Sequence, residues 1–253
     1  MDVIEELKNF YREWKGIKGY IGCTENGALI PFFAVKKTEK PVILAQYAIH
    51  AREYITTYIG MMQASDFALS GKRGTAYFIP AVNPDGIAES LYGDKNYKAN
   101  SNMVDLNVNF DAKWGEGEKN VLKKGSENYI GAYPFSEAET RALRDFTISV
   151  MPDMTLSYHS KGKEIYWEFY QGAAERKRDF EIAKAVSEVT GYPLKSAGKS
   201  CGGYKDWCVE KLKIPALTVE VGDDSLTHPI GADKAEEIFA ENRDVIRVLT
   251  EIL

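Results

Sequence analysis

The sequence has 253 residues, 44% of them hydrophobic, and a formal net charge of −5. A chain of this length and composition can bury one sizeable core, so we predict a single domain over residues 1–253. Lysines and glutamates are interspersed along the chain, and this balance argues against nucleic acid and anionic membrane surfaces as partners.

The cysteines and the amino terminus bear on the cellular compartment. Cys23, Cys201 and Cys208 are odd in number and form no C-x-x-C motif, so a reducing compartment is favoured over a disulfide framework. Residues 1–7 are acidic and amphipathic and lack the basic start and apolar core of a signal peptide. No apolar run approaches the ~20 residues of a membrane span. We therefore expect a cytoplasmic protein.

Apolar periodicity and turn residues predict helices and strands that alternate along the chain. The predicted helices cover 2–15, 53–69, 136–150, 173–190, 206–212 and 232–253, and the predicted strands cover 28–35, 41–46, 75–80, 154–158, 164–169 and 216–221. A capping box, Ser136-x-x-Glu139, opens the third of these helices. Residues 93–130 lack periodicity and form a long loop of the kind that often carries function. The pattern predicts an α/β protein with three layers, α/β/α, around a mixed, mainly parallel twisted sheet.

Two of the three histidines stand in contexts typical of zinc ligands. His50 follows an apolar strand and has Glu53 three residues on, and His159 follows another apolar strand. Two imidazoles and one carboxylate leave a fourth zinc position open for water, which is typical of catalytic zinc. Glu220 lies at the end of a third strand, where a buried carboxylate is costly unless it is used or paired. A histidine after a strand is also often structural, and His-x-x-Glu is a short motif.

Five motifs resemble those of the M14 zinc carboxypeptidase family. They occur in the family's order between residues 40 and 222, as Ile49-His50-Ala51-Arg52-Glu53, Asn83-Pro84-Asp85-Gly86, Val104 to Asp111, Pro134 to Arg141, and Thr218-Val219-Glu220. The resemblance implies a zinc carboxypeptidase-like fold and one zinc ion per chain, bound by His50, Glu53 and His159. It implies that Glu220 is the general base, which takes a proton from water and passes it to the leaving nitrogen.

The resemblance also implies residues that contact the substrate, with three departures. Arg52 matches an arginine that holds substrate, although a structural ion pair is an alternative, and Asn107 matches the asparagine of the family's Asn-Arg pair. Val108 replaces the arginine that grips a terminal carboxylate, and Gly198 stands where the family has a mobile tyrosine. Lys98 replaces the arginine that stabilises the oxyanion. A lysine supplies the positive charge but lacks the planar guanidinium that can form two parallel hydrogen bonds.

The departures are similar to one subgroup of the family, the γ-D-glutamyl-L-diamino acid endopeptidases. These bacterial enzymes cut the bond between γ-D-glutamate and diaminopimelate in peptidoglycan stem peptides. The matching segments are 98–107, 158–167 and 203–207. Lys205 falls where the family has a residue of its side-chain pocket, and a cation there would suit an anionic side chain. A solvated surface lysine is the alternative.

The prediction is therefore a zinc metallopeptidase that acts on peptidoglycan stem peptides, at the bond between γ-D-glutamate and meso-diaminopimelate. One rival is a zinc carboxypeptidase or amidase that acts on other peptides. A second rival is a metal-free protein that binds cell-wall peptides, against which the complete set of ligands and base argues. The choice between diaminopimelate and lysine stays open, as do endopeptidase or carboxypeptidase mode, oligomeric state, and a role in recycling, sporulation or phage lysis.

Overall fold

A mixed sheet of eight strands runs through the middle of the protein. The computed structural model describes residues 2–196 and 198–253. The strands are β1 (Ile17–Cys23), β2 (Leu29–Lys36), β3 (Val42–Tyr47), β4 (Thr75–Ile79), β5 (Met154–Ser160), β6 (Glu164–Tyr166), β7 (Leu194–Lys195) and β8 (Ala216–Val221). They lie in the order β1-β2-β4-β3-β5-β8-β6-β7. The central pairs β4–β3, β3–β5 and β5–β8 are parallel.

Helices cover both faces of the sheet. They are α1 (Val3–Glu13), α2 (Ile55–Ser70), α3 (Pro84–Tyr92), α4 (Ala138–Val150), α5 (Ala173–Thr190), α6 (Tyr204–Trp207), α7 (Ala235–Asn242) and α8 (Val245–Ile252). Side chains alternate along each strand, so Ala45 of β3 faces a core built with α2, α5, α7 and α8. Leu44 faces a second core built with α4 and α6. The predicted three-layer α/β/α architecture with a mixed sheet is confirmed.

A buried polar contact ties the two central strands together. The rings of Tyr47 on β3 and Tyr158 on β5 stack with their centroids 4.9 Å apart. Tyr47 donates to Gln63 Oε1 at 2.5 Å, and Gln63 Nε2 donates to the Tyr158 hydroxyl at 2.9 Å. Because buried polar groups are costly unless they are hydrogen-bonded, this contact favours one relative placement of β3 and β5. His159 lies on β5, and His50 follows β3.

Several elements differ from the predicted ones. The edge strand β1 was not predicted, because its two glycines and half-exposed side chains leave no alternation of apolar residues. The helix α3 was not predicted either, since its start reads as a turn. Asn83 caps it by accepting from the Gly86 N–H at 3.0 Å. The predicted helix at 232–253 is divided into a 3₁₀ turn, α7 and α8.

The predicted capping box at the start of α4 is wrong. Glu137 rather than Ser136 precedes the helix, and the Ala138 N–H donates to Glu25 Oε1 of the β1–β2 turn at 2.6 Å. Glu139 does not reach back to the helix start. It is buried against Asn100, and burial raises its pKa to about 7. A carboxylate from a distant turn therefore caps this helix, which no local pattern signals.

Two further predictions concern the length of segments. The predicted helix at 206–212 is the short helix α6 followed by a π-helical turn, Cys208–Leu212. The loop predicted at 93–130 is confirmed as a long segment whose one helical stretch is the 3₁₀ turn Leu106–Val108. Within the described parts of the chain, none of the helices combines the length and apolarity needed to cross a bilayer.

Candidate metal centre and active-site cleft

The predicted ligands meet where two parallel strands end. His50 follows β3 and begins a 3₁₀ turn, Ala51–Glu53, which brings the carboxylate of Glu53 back towards the histidine ring. His159 lies near the end of β5, the parallel neighbour of β3. Since the carboxyl ends of parallel strands lie at the same edge of a sheet, side chains that are 109 residues apart in the sequence come together.

The three side chains are buried and their ligand atoms converge. His50 Nδ1 lies 2.9 Å from Glu53 Oε1, and His159 Nδ1 lies 3.0 Å from Glu53 Oε2. The two Nδ1 atoms are 3.1 Å apart. A tetrahedral zinc ion with bonds of ~2.0–2.1 Å separates its ligand atoms by roughly 3.4 Å. The three ligand atoms lie slightly closer together than this, so they would have to move apart only a little to hold zinc. The donor set of two imidazoles and a carboxylate fits zinc.

The electrostatics of the trio also favour a cation. Burial acts to lower the pKa of His50, but the carboxylates of Glu53 and Asp105 outweigh it and raise the pKa to about 9. Burial lowers the pKa of His159, which keeps that ring neutral and able to bind a metal. The trio therefore attracts positive charge while it offers an uncharged nitrogen ligand.

Asp105 lies in one of the five sequence motifs, without a predicted role, and its carboxylate orients the ring of His50. The Nε2–H of His50 donates to Asp105 Oδ1 at 3.1 Å, which leaves Nδ1 free to face the metal. Asp105 Oδ2 pairs with Lys98 Nζ at 2.7 Å. Burial would raise the pKa of Asp105, but Lys98 and His50 hold it well below its usual range. The carboxylate is therefore charged and can fix both neighbours.

Lys98 is anchored at the metal centre. Besides its ion pair with Asp105, its Nζ donates to Asn128 Oδ1 at 2.8 Å. Burial acts to lower the pKa of Lys98, but Asp105 and the nearby Glu53 raise it above its ordinary value. The lysine thus supplies a fixed positive charge to the cleft. Asn128 comes from the long loop without periodicity, and no sequence signal pointed to it.

Glu220 lies beside His159 on the neighbouring strand. The two residues are register partners on β8 and β5, and their side chains share one face of the sheet. The carboxylate is half-buried and makes no ion pair within 4 Å among residues 2–196 and 198–253. Burial, followed by the charge of Glu53, raises its pKa well above the ordinary value. A surface ion pair therefore does not account for this glutamate, and a proton-accepting role fits the surroundings.

A cleft of about 500 Å³ opens from the metal centre, within the usual range for small-ligand pockets. Its lining includes two of the three strand-end side chains, His50 and Glu220. It also includes residues that the family resemblance singled out, namely Lys98, Asn107, Val108, Gly198 and Lys205. Tyr166 and Thr218 also line it and were not singled out from the sequence. Thr218 lies in the same motif as Glu220, two residues before it. Because alternate residues of a strand share a face, this spacing could have predicted that Thr218 lines the cleft with Glu220.

Arg52 is the predicted substrate contact that does not line this cleft. Its guanidinium pairs with Glu127 Oε1 at 3.2 Å and donates to the Asn96 carbonyl at 3.3 Å. Both partners belong to the long loop. This contact is the structural ion pair that was the alternative interpretation of Arg52 from the sequence. Contact between Arg52 and the substrate stays a prediction.

Lys205 lines the cleft but is not a solvated surface lysine. The residue is 5% exposed, and its Nζ pairs with Asp206 Oδ1 at 2.6 Å and donates to the Glu168 carbonyl at 3.0 Å. The ammonium also lies 5.4 Å from the centroid of the Phe169 ring. A buried ammonium with a third N–H left for a ligand can anchor an anion in the cleft. Asn107 is more constrained, because its Oδ1 accepts from the Tyr204 N–H at 3.2 Å.

The Asp105→Asn variant is expected to bind zinc about 10- to 100-fold more weakly, because an amide loses the charge that orients His50. Competition with a chromogenic chelator measures the affinity. Asp145→Asn, which alters an exposed carboxylate paired with Arg144, is the matched control and should bind zinc normally. Unchanged affinity in Asp105→Asn would remove Asp105 from this role.

Comparisons with known proteins agree with the geometry. A family model described as zinc carboxypeptidase matches residues 19–242. A γ-D-glutamyl-L-diamino acid endopeptidase 1 from Lysinibacillus sphaericus is 32% identical in an alignment that covers 77% of this chain and 57% of that protein. A Bacillus subtilis protein, YqgT, is 25% identical over 80% of this chain and 65% of its own length. The chain thus spans under two thirds of these two relatives.

Two solved structures share the fold. Bovine thrombin-activatable fibrinolysis inhibitor superposes with a TM-score of 0.87 at 21% identity and covers 100% of this chain and 96% of its own. The murein-tripeptide amidase MpaA from Escherichia coli O157 superposes with a TM-score of 0.69 at 22% identity and covers 92% of each chain.

Proposed function

The chain belongs to the zinc carboxypeptidase family of metallopeptidases, and from this premise we propose that it hydrolyses peptidoglycan stem peptides at the bond between γ-D-glutamate and meso-diaminopimelate. The observation that carries the catalytic part is the convergence of His50, Glu53 and His159 beside the carboxylate of Glu220, which has no ion pair among the residues that the structure describes. The substrate part is supported by the similarity to the Lysinibacillus enzyme and by the buried ammonium of Lys205 in the cleft.

The roles of the residues follow from their positions. When bound by the trio, zinc lowers the pKa of a water molecule and polarises the scissile carbonyl. Glu220 accepts the proton of the attacking water at a carboxylate oxygen and passes it to the leaving nitrogen. The ammonium of Lys98 stabilises the negative charge that develops on the carbonyl oxygen. Asp105 keeps His50 in the tautomer that presents Nδ1 to the metal.

The charges of the cleft support a substrate with carboxylates beside the scissile bond. Val108 stands where a standard carboxypeptidase is expected to have arginine, while Lys98 and Lys205 both line the cleft. Diaminopimelate carries a carboxylate at the far end of its side chain. Lys205 already has Asp206 as a partner, so we propose that its remaining N–H binds this group by a charge-assisted hydrogen bond.

Two other functions compete with this one. A zinc carboxypeptidase on other peptides would need a different group for the terminal carboxylate, because Val108 offers none. A metal-free peptide-binding protein would have no use for the converging trio, whose Nδ1 atoms lie 3.1 Å apart with Glu53 between them. The geometry therefore favours the metallopeptidase over the binding protein.

Amidation of the side-chain carboxylate of diaminopimelate is expected to lower kcat/KM by roughly 10- to 150-fold, because a hydrogen bond to a charged group contributes ~1.5–3 kcal/mol. Lys205→Met should show a similar loss on the free substrate and little loss on the amidated one. Kinetics of both proteins on both substrates measure this. Equal cleavage of the two substrates by the unmodified protein would contradict the anionic pocket.

The experiment that tests the proposed function is a substrate panel with the zinc-loaded protein. The panel contains L-alanyl-γ-D-glutamyl-meso-diaminopimelate, its lysine analogue, the α-linked isomer and an ordinary tripeptide with a free carboxyl end. Mass spectrometry of the products is expected to show release of free diaminopimelate from the first. Release of carboxyl-terminal residues from the ordinary tripeptide alone would support the rival carboxypeptidase.

A further inference from the structure

Three glutamates outside the active-site cleft bring their carboxylates together where α4 begins. Glu137 and Glu139 belong to the motif Pro134 to Arg141, to which the proposed function gives no role, and Glu25 lies in the turn between β1 and β2. One carboxylate oxygen of each lies within 4.8 Å of the other two. The cleft lining in the described structure includes none of them. This group, which we call the glutamate cluster, is therefore separate from the metal centre.

Two carboxylates of the glutamate cluster are buried without a positive charge beside them. Glu137 is 4% exposed and Glu139 is 0% exposed. Neither has an ion pair within 4 Å in the part of the chain that the structure describes, because Arg141 pairs with Glu25 instead, at 3.4 Å. Burying a charged carboxylate is costly unless it is paired. The cluster therefore needs either a proton or a cation that the side chains do not supply.

One buried oxygen of the cluster has no partner. Oε1 of Glu139 accepts no hydrogen bond from any described residue, while its Oε2 accepts from Asn100 Nδ2 at 3.2 Å. Buried polar atoms are normally hydrogen-bonded, so an unpartnered carboxylate oxygen beside two further carboxylates indicates a positively charged ligand. Burial raises the pKa of Glu139 to about 7, and the charges of Glu137 and Glu25 act in the same direction. A cation would offset these charges and favour the ionised form.

The donor atoms of the cluster fit calcium. All of them are oxygens, which suit hard cations rather than zinc. Ca²⁺ binds oxygens at ~2.3–2.6 Å in flexible geometry, so two ligands on opposite sides of the ion lie roughly 4.6–5.2 Å apart, close to the spread of the cluster. Mg²⁺ needs near-octahedral geometry and usually keeps several waters, for which two buried carboxylates leave little room. Three carboxylates and the guanidinium of Arg141 leave two negative charges when all are ionised, which one divalent ion balances.

We propose that Glu25, Glu137 and Glu139 bind one calcium ion at the start of α4. The ion joins the β1–β2 turn to the helix, where the Ala138 N–H already donates to Glu25 Oε1 at 2.6 Å. Its role is structural, because the cluster lies outside the cleft. The proposal goes beyond the proposed function and does not depend on it.

Asn100 connects the glutamate cluster to the long loop. Its Nδ2 donates to Glu137 Oε2 at 2.8 Å as well as to Glu139, and its Oδ1 accepts from the Val104 N–H at 3.0 Å. Asp105, which belongs to the metal centre, follows this turn directly. Calcium is therefore expected to stabilise the turn 100–104 together with the start of α4.

The test is calcium binding by the zinc-loaded protein at about pH 8, above the pKa of Glu139. Isothermal titration calorimetry is expected to show one Ca²⁺ per chain, and the melting temperature should rise with Ca²⁺ concentration, because an ion that binds only the folded state stabilises it. Glu139→Gln should bind at least about tenfold more weakly, since affinity follows the number of charged ligands. Asp145→Asn, which alters an exposed carboxylate of the same helix, is the matched control and should bind normally.

A second variant, Glu25→Gln, keeps the test decisive if Glu139→Gln folds poorly. Glu25 is exposed, and glutamine keeps an oxygen for the helix cap, so this variant should fold normally and lose a similar share of the affinity. Absence of Ca²⁺ binding by the unmodified protein would overturn the site. Binding that is unchanged in Glu25→Gln would overturn it too, and Mg²⁺ bound as tightly as Ca²⁺ would overturn the choice of calcium.

The pH dependence of the melting temperature separates a calcium ion from a shared proton. Because the folded-state pKa of Glu139 lies above its ordinary value, ionisation of this group costs stability as pH rises from that value to about 7. Saturating Ca²⁺ is expected to remove this loss in the unmodified protein. A loss that Ca²⁺ leaves unchanged would assign the neutralising role to a proton and overturn the proposal. None of these measurements uses peptide hydrolysis, so their failure leaves the proposed function intact.

Discussion

The Glu220→Gln variant is expected to keep its zinc and its fold and to lose ~10²–10⁴ of its turnover, the usual contribution of a general base. Glu220 shares a face of the sheet with His159 and has no ion pair among the described residues, so its carboxylate is free to accept a proton. Glutamine has nearly the same size and hydrogen-bonds through its amide, but it cannot take a proton from water. We therefore expect only the rate of the chemical step to fall in this variant.

Three measurements on this variant separate the base from a structural residue. They are kcat on the free tripeptide, zinc content by atomic emission, and the melting temperature. Glu164→Gln is the matched control, because Glu164 is the register partner of Glu220 on the other side and also carries a carboxylate. A loss below about tenfold in Glu220→Gln would remove Glu220 from the role of base. The same loss in Glu164→Gln alone would assign that role to Glu164.

Loss of zinc together with loss of activity is expected for the His159→Ala variant. His159 supplies one of three protein ligands, and the remaining pair, His50 and Glu53, leaves the ion with too few contacts to stay bound through dialysis. His228→Ala replaces the third histidine, which lies outside the trio, and should retain one zinc per chain. Zinc analysis after dialysis measures both variants. Stoichiometric zinc retained by His159→Ala would contradict the assignment of this ligand.

The sequence predicts those parts of the site that depend on strands. His50, His159 and Glu220 each lie at the end of an apolar strand, and parallel pairing carries them to one edge of the sheet. The ends of apolar runs are local signals that mark these three positions, and the resemblance of five motifs to the zinc carboxypeptidase family supplied their predicted roles. The burial of Glu53 beside His50 follows from their spacing in one tight turn.

Contacts made by irregular segments had no such signal. Asp105 reaches His50 across 55 residues, and Asn128 reaches Lys98 from a loop without periodicity. Arg52 was expected in the substrate site, but Glu127 of the same loop pairs with it. The course of this loop depends on tertiary hydrogen bonds rather than on local propensity, and so a pattern in the sequence does not reveal it.

The cap of α4 illustrates the same limit at a smaller scale. Ser136 and Glu139 have the spacing of a capping box, yet Glu25 of the β1–β2 turn accepts the hydrogen bond of the first helical N–H. A residue from another element is available only in the folded chain. Local rules therefore predicted the helix but not its cap.

The most direct test of the central claim is hydrolysis of the free tripeptide in ¹⁸O-labelled water by the zinc-loaded protein, followed by mass spectrometry. Hydrolysis places the oxygen of water in the acyl product. Cleavage at the γ-D-glutamyl bond predicts one ¹⁸O in the L-alanyl-D-glutamate fragment and none in the released diaminopimelate, with no labelled product from Glu220→Gln on the same timescale. An intact tripeptide, or label in a free alanine product, would contradict the proposed activity.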